Sequence, residues 1–258
     1  MSKYRSGKLP RSLQVIPLME HWQELLELTN PQKWSAHAFY EVVRIFTSKT
    51  ESERTLRFFS NYLLPRVLKD IKENKKLNYH LFRALQKGLY RPASWFRGIL
   101  MPFFNTPDIT IKHAQILAAV LMKTSVPNAH AAAVFYKCCD MPYSGPQNVI
   151  MKIMIEKKFG LPAIVIQRLV NWFCSFENQS SQVMPVLWYQ TLHSFVKIYG
   201  RLLISPLYKW REDQTQKNCQ RQSQTRTLLE GDYCQSGCHR QSQEWKWRVR
   251  NWELRLIK

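Results

Sequence analysis

The chemistry this sequence offers most of is fixed positive charge, repeatedly placed beside aromatic rings. Its first stretch, Lys3-Tyr4-Arg5-Ser6-Gly7-Lys8-Leu9-Pro10-Arg11, holds four cations and a tyrosine with little to bury. Such an arm can follow a phosphate backbone while its ring stacks on a base, or stand as a solvated terminus. A second run comprises Arg66, Lys69, Lys72, Lys75 and Lys76, followed by Lys87, Arg91 and Arg97. Steps of three keep Arg66, Lys69 and Lys72 on one helix face. Asp70 and Glu73 interleave, so the run reads equally as a polyanion contact and as a locally neutralised, solvated face. Trp95 and Phe96 lie inside the segment from Arg91 to Arg97. Cation and ring together can hold an unstacked base, and a tryptophan so placed is also the usual anchor of a helix in its core.

Catalysis finds no such material. The histidines, His21, His37, His80, His113, His130 and His193 among them, are scattered without a motif, and acidic residues are too dispersed for a carboxylate pair. Nucleophile elbow, phosphate loop, dinucleotide loop and zinc-protease signatures are all absent. No cofactor is expected. Cys219, Cys234, Cys238 and His239 cluster late in the chain, but adjacent Cys238 and His239 are awkward joint ligands and no small apolar core surrounds them, so no metal site is assigned. Cys138 and Cys139 sit in an apolar helical stretch and read as packing.

The elements that must position these side chains are helices. From Met19 to Tyr199 apolar residues recur at steps of three and four, as in Trp34, Ala38, Val42, Ile45 and Phe46. Pro31, Pro92, Pro146 and Pro162 stand where helices begin, Asn30 is placed to cap its turn, and Pro65, Pro102 and Pro185 should end or kink the runs around them. Strand-like alternation is missing. The expected fold is all-α, about nine or ten helices stacked as hairpins in an irregular α-solenoid, with a globular bundle as the alternative. Residues 1–18 form the basic arm, 19–200 the helical domain, and 201–258 a Gln-, Arg- and Trp-rich tail that buries too little to order itself.

Lys and Arg number 38 against 18 Asp and Glu, a net charge of +20 that attracts polyanions: RNA, DNA, acidic proteins or anionic membrane surfaces. The longest apolar stretch, Ile116 to Met122, is too short for membrane insertion. Scattered cysteines and a start without a secretory leader point to a reducing compartment, cytosol or nucleus.

The residues carrying this charge also carry a resemblance. Tyr4-Arg-Ser-Gly-Lys-Leu-Pro10 resembles the opening of the helical region of the bystin family. The likeness continues in order through Arg44-Ile45-Phe46, Leu64-Pro65-Arg66, Lys76-Leu77-Asn78-Tyr79-His80-Leu81, Trp95-Phe96-Arg97-Gly98-Ile99-Leu100, Tyr143-Ser144-Gly145, Glu156-Lys157-Lys158-Phe159 and Pro185-Val186-Leu187-Trp188. Family members usually carry a long charged region ahead of the opening and further helices after the last motif. This chain has almost nothing before Lys3 and turns into its basic tail after Tyr199, the pattern of a shortened product or a gene model read past an exon end.

The resemblance implies a non-catalytic ribosome biogenesis factor, nuclear and nucleolar, shuttling to the cytoplasm. Its implied partners are pre-18S ribosomal RNA with small nucleolar RNP, small-subunit ribosomal proteins and other pre-40S assembly factors. RNA contact is expected at Lys3, Arg5, Lys8, Arg11, Arg66, Lys69, Lys72, Lys75, Lys76, Lys87, Arg91 and Arg97. The alternative is a cytoplasmic helical scaffold in adhesion complexes, whose anchors would be exposed rings such as Trp34, Trp95 or Trp188.

Overall fold

Side chains that repeat every three to four residues can share one buried face only on helices, and helices are what the chain forms. The computed structural model describes residues 1, 4–5, 7, 9–176 and 184–200, all within the compact unit Met1–Pro206. The expected features of 201–258, including Cys219, Cys234, Cys238 and His239, lie outside the described residues, as do Lys3 and Lys8.

The elements in order are α1 (Arg11–Val15), α2 (Trp22–Leu28), α3 (Ala36–Lys49), α4 (Ser52–Phe58), α5 (Leu64–Asn74), α6 (Tyr79–Gly88), α7 (Pro92–Trp95), α8 (Met101–Asn105), α9 (Ile111–Lys123), α10 (Asn128–Cys138), α11 (Gly145–Glu156), α12 (Ala163–Ser175) and α13 (residues 186–200). Strands are absent among the described residues. Helices α4 and α5 run on through a wide turn at Phe59–Leu63, and α7 and α8 through another at Phe96–Leu100. Taken so, the described residues form eleven continuous helices, the extra ones being the short α1 and α2.

Proline explains the wide turns. Pro65 and Pro102 each stand just past one, where the ring would clash with the carbonyl a turn earlier, and the backbone opens to an i→i+5 spacing instead of ending. Pro92 and Pro146 occupy first-turn positions, Pro31 opens a single 3₁₀ turn at Pro31–Lys33 between α2 and α3, and Pro162 precedes α12. Asn30 does not cap through its side chain. It adopts a left-handed backbone, φ 51°, and its carbonyl receives the Lys33 N–H. Side-chain caps appear instead at Ser35, Asn78 and Ser144, and Thr110 and His113 cap the start of α9 reciprocally.

Each continuous helix packs on the next but one. α3 lies along α6, α6 on α9 and α9 along α11, while α4 packs on α7 and α10 on α12. Aromatics fill the seams: the Phe46 and Phe58 rings stack at 4.0 Å, with Trp22 and Phe39 beside them. Around Phe173, Trp188 and Phe195 fix α13 to α12, and the Tyr199 hydroxyl donates to the Phe159 carbonyl at 2.8 Å. Among the described residues no helix is long and apolar enough to cross a membrane.

The two wide turns also pack on each other, and glycine permits it. A Cβ on Gly98 would lie 2.8 Å from the Leu56 carbonyl oxygen, a backbone atom that cannot swing aside. Gly98→Ala should therefore cost about 1–3 kcal/mol, the range of overpacked cores. Gly145→Ala meets nothing nearer than Ile111 Cγ1 at 4.0 Å and should be tolerated. Chemical denaturation of both variants checks the pair; equal midpoints would contradict the packing.

Candidate nucleic-acid interface

A helix leaves its last carbonyls without partners, and the C-terminal end of its dipole attracts cations. Four basic side chains meet main-chain carbonyls across long sequence separations, two of them at the ends of α3 and α9 and two in turns. Arg54 donates to the Leu18 and Met19 carbonyls at 3.1 and 3.0 Å, closing the turn after α1. Arg66 reaches the Gln32 and Trp34 carbonyls at 3.1 and 3.4 Å. The Arg91 Nε donates to Thr47 at 2.7 Å, near the end of α3. Lys157 donates to Leu121 at 2.7 Å and to Thr124 at the end of α9, and burial holds its ammonium below the usual lysine range. Two of the cations expected to touch RNA, Arg66 and Arg91, are thus half-buried and engaged within the fold.

The others are distributed differently. Lys72, Lys75 and Lys76 stand exposed at the end of α5, with no carboxylate at ion-pair distance among the described residues. Lys69 faces Glu73 at 3.9 Å, an exposed pair of small energetic weight. Asp70, which looked able to neutralise the run, is occupied: it accepts from the Asn74 side chain at 3.0 Å and the Asn78 backbone at 2.8 Å, bracing the loop that carries Lys75 and Lys76. Lys75 itself sits at φ 56°, where its N–H satisfies the Ile71 carbonyl at 2.9 Å, a position that favours glycine. The cationic end of α5 is felt at the start of α9: His113 is held below the usual histidine value by burial first and by the Lys75 charge second. Lys87 lies over the Tyr90 ring at 5.0 Å, and Arg97 is exposed.

In the arm, Arg5 and Arg11 are exposed, yet its backbone is docked. Ser35 donates to the Tyr4 carbonyl at 2.7 Å, His37 Nδ1 meets the Arg5 carbonyl, and Leu9 and Leu13 are buried. The arm therefore holds Arg5 against α3 rather than in free solution. Trp95 and Phe96 prove to be core anchors, fully or nearly fully buried, so the ring-and-cation base site read between Arg91 and Arg97 does not form. Trp34 and Trp188 are buried as well, so none of the three tryptophans read as exposed anchors of an adhesion scaffold is exposed. Burial pushes the Cys138 and Cys139 thiols up to about 12, where they neither ionise nor react at neutral pH. No metal-binding group of acidic, histidine or cysteine side chains occurs among the described residues.

Nothing local marks Arg54 or Lys157 as structural cations, since their carbonyl partners lie more than thirty residues away. A missed feature with a local sign is Tyr79 and Arg83, four residues apart at the start of α6. That spacing places ring and guanidinium on one helix face.

A protein-family model described as Bystin matches residues 1–216. The curated bystins of Bos taurus and Homo sapiens are 40% and 39% identical over 199 residues, covering 77% of this chain and 46% and 45% of theirs. Bystin of Arabidopsis thaliana is 39% identical over the same length, again 77% of this chain and 45% of the relative. The chain spans about half the length of the curated relatives it matches.

Two substitutions separate cations that hold the fold from cations that face solvent. Arg91→Met removes a charge-assisted bond and should lower stability by about 1.5–3 kcal/mol. Lys75→Gly relieves the left-handed backbone and should raise stability slightly, by about 0.5–1 kcal/mol. Thermal melts should move in opposite directions; a shared direction would contradict the division.

Proposed function

The chain belongs to the bystin family, and from that premise we propose that it is a non-catalytic assembly factor of the small ribosomal subunit, binding pre-40S particles and supporting 18S rRNA processing. In this reading pre-18S RNA, with small nucleolar RNP in the early particle, lies against the exposed charge. Small-subunit proteins and other assembly factors meet the remaining helical surface. The chain works in the nucleolus and nucleus and travels with the particle to the cytoplasm. It holds partners in place and carries out no reaction of its own.

The observation that carries the reading is the unpartnered charge at the end of α5. Lys72, Lys75 and Lys76 are exposed, unpaired among the described residues, and held on a loop that Asp70 braces. A surface lysine in an ordinary solvated face gains little from such bracing. A phosphate backbone gains a fixed row of charge, and the counterions it releases drive binding. Arg5, Arg11 and Arg97 add exposed charge, and Lys3 and Lys8 belong to the same arm in sequence.

Counterion release sets the test. The wild-type chain should bind structured ribosomal RNA with an affinity that falls steeply as salt rises. Replacing Lys72, Lys75 and Lys76 by Ala should lower the slope of log K against log salt by about 2–3, at roughly 0.7–0.9 for each phosphate no longer neutralised. Arg91→Met should leave the slope unchanged. An unaltered slope in the triple variant removes this end of α5 from the interface. Failure of the tagged chain to co-sediment with small-subunit precursors would overturn the assignment as a whole.

A further inference from the structure

α3 and α6 turn their apolar faces inward, Phe39, Val42, Val43 and Phe46 from one and Leu81, Ala84 and Leu85 from the other. Along the outer side of the same seam lies a group of rings and one guanidinium, of which Tyr4 and Tyr40 pack partly against the core and Tyr79 and Arg83 are exposed. The His37 and His80 imidazoles face each other at 4.6 Å, and Tyr40 is nearly parallel to His37, 16° apart at 6.5 Å. Tyr79 meets the His80 edge at 5.6 Å and keeps 64% of its surface exposed. Arg83 is near two phenol rings, its Cζ 5.3 Å from the Tyr40 centroid and 5.9 Å from that of Tyr79. The docked arm closes one side, with Tyr4 5.3 Å from His37 and the Arg5 carbonyl on His37 Nδ1.

These groups share a chemistry. An exposed tyrosine at the first position of a helix contributes almost no burial, so its ring is available as a stacking platform. The Arg83 guanidinium lies within cation–π distance of both phenols and pairs with no carboxylate among the described residues. His80 is held below the usual histidine value by burial, then by His37 and Arg83, so at neutral pH it presents an uncharged ring. The acid on α3, Glu41, is taken by Arg44 at 3.3 Å. Lys76 lies three residues ahead of Tyr79, which joins the rings to the cationic end of α5. Rings for bases beside cations for phosphates are the parts of a single-strand site.

Resting on the RNA-binding reading above, we propose that Tyr79, His80 and Arg83, backed by His37 and Tyr40 and flanked by Arg5, form a stacking site for an unpaired nucleobase of single-stranded RNA. The base lies on the open side of Tyr79 and His80. Its 5′ or 3′ phosphate is met by Arg83, and the strand continues toward Lys76, Lys75 and Lys72. Recognition here is tolerant of sequence, since every base has a face to stack.

The test compares two labelled strands of equal phosphate number, an oligouridylate and its abasic ribose-phosphate counterpart, bound to the full chain at one salt concentration. The wild type should prefer the base-bearing strand by about fivefold or more, the scale of one stacked base. Tyr79→Ala, at an exposed position that should not disturb folding, ought to erase the preference while keeping the salt slope, and Arg83→Met should weaken both strands. Circular dichroism verifies that each variant is folded. Equal affinity of the wild type for the two strands overturns the stacking site and leaves the electrostatic interface standing. A preference that survives Tyr79→Ala places the base elsewhere and overturns it too. Binding to neither strand overturns the stacking site together with the RNA-binding reading.

Discussion

The ends of α3 and α9, and the turns beyond α1 and α2, are held by cations from distant parts of the chain. Burying a terminal carbonyl without a donor costs free energy on the order of 1–3 kcal/mol, and a stack of short helices produces such ends repeatedly. Arg91 and Lys157 meet two of them, at the ends of α3 and α9, and Arg54 and Arg66 do the same for turn carbonyls beyond α1 and α2, each tying together segments more than thirty residues apart. The bond is stronger than a neutral one because the donor is charged, and its position at the negative end of the helix dipole adds to it. A high density of basic residues is thus partly a property of the architecture. The consequence for function is direct: charge engaged within the fold is less available to a partner, and among the exposed cations Lys72, Lys75 and Lys76 stand together at the end of α5.

That withdrawal changes the meaning of the net charge of +20. The basic run from Arg66 to Lys76 looks uniform in sequence, but its first member folds back on the Gln32 and Trp34 carbonyls while its last three face solvent. Asp70 sits in the middle of the run but is at ion-pair distance from none of them, its oxygens accepting instead from the Asn74 side chain and the Asn78 backbone. The same loop orders Lys75 in a left-handed conformation that a glycine would occupy more easily. Retaining a lysine there costs stability and keeps a charge at the mouth of the α5–α6 loop.

The helical class was legible from the spacing of Trp34, Ala38, Val42 and Phe46, which are buried together at and along α3. Pro92 and Pro146 marked helix starts because a missing N–H is harmless there. Pro65 and Pro102 were harder, since whether a helix ends or widens at proline depends on packing that continues past it, here wide turn against wide turn. Trp95 and Phe96 show the limit at the site. Their neighbours are cations, and only the third dimension reveals that the rings point inward, Trp95 beside Gly88, while Arg97 points out. Tyr79, His80 and Arg83 lay in or beside a family motif, but their partners His37 and Tyr40 lie some forty residues earlier and join them only through the α3–α6 crossing. Residues matched to the family thus divide into those that build the stack and those displayed on it.

The most direct measurement is the acetylation of lysines, read by mass spectrometry, with and without a structured small-subunit RNA. If the free charge at the end of α5 is the interface, the RNA protects Lys72, Lys75 and Lys76 and leaves the exposed Lys137 on α10 as reactive as before. Uniform protection of all exposed lysines, or protection at Lys137 with none at the end of α5, would contradict that assignment.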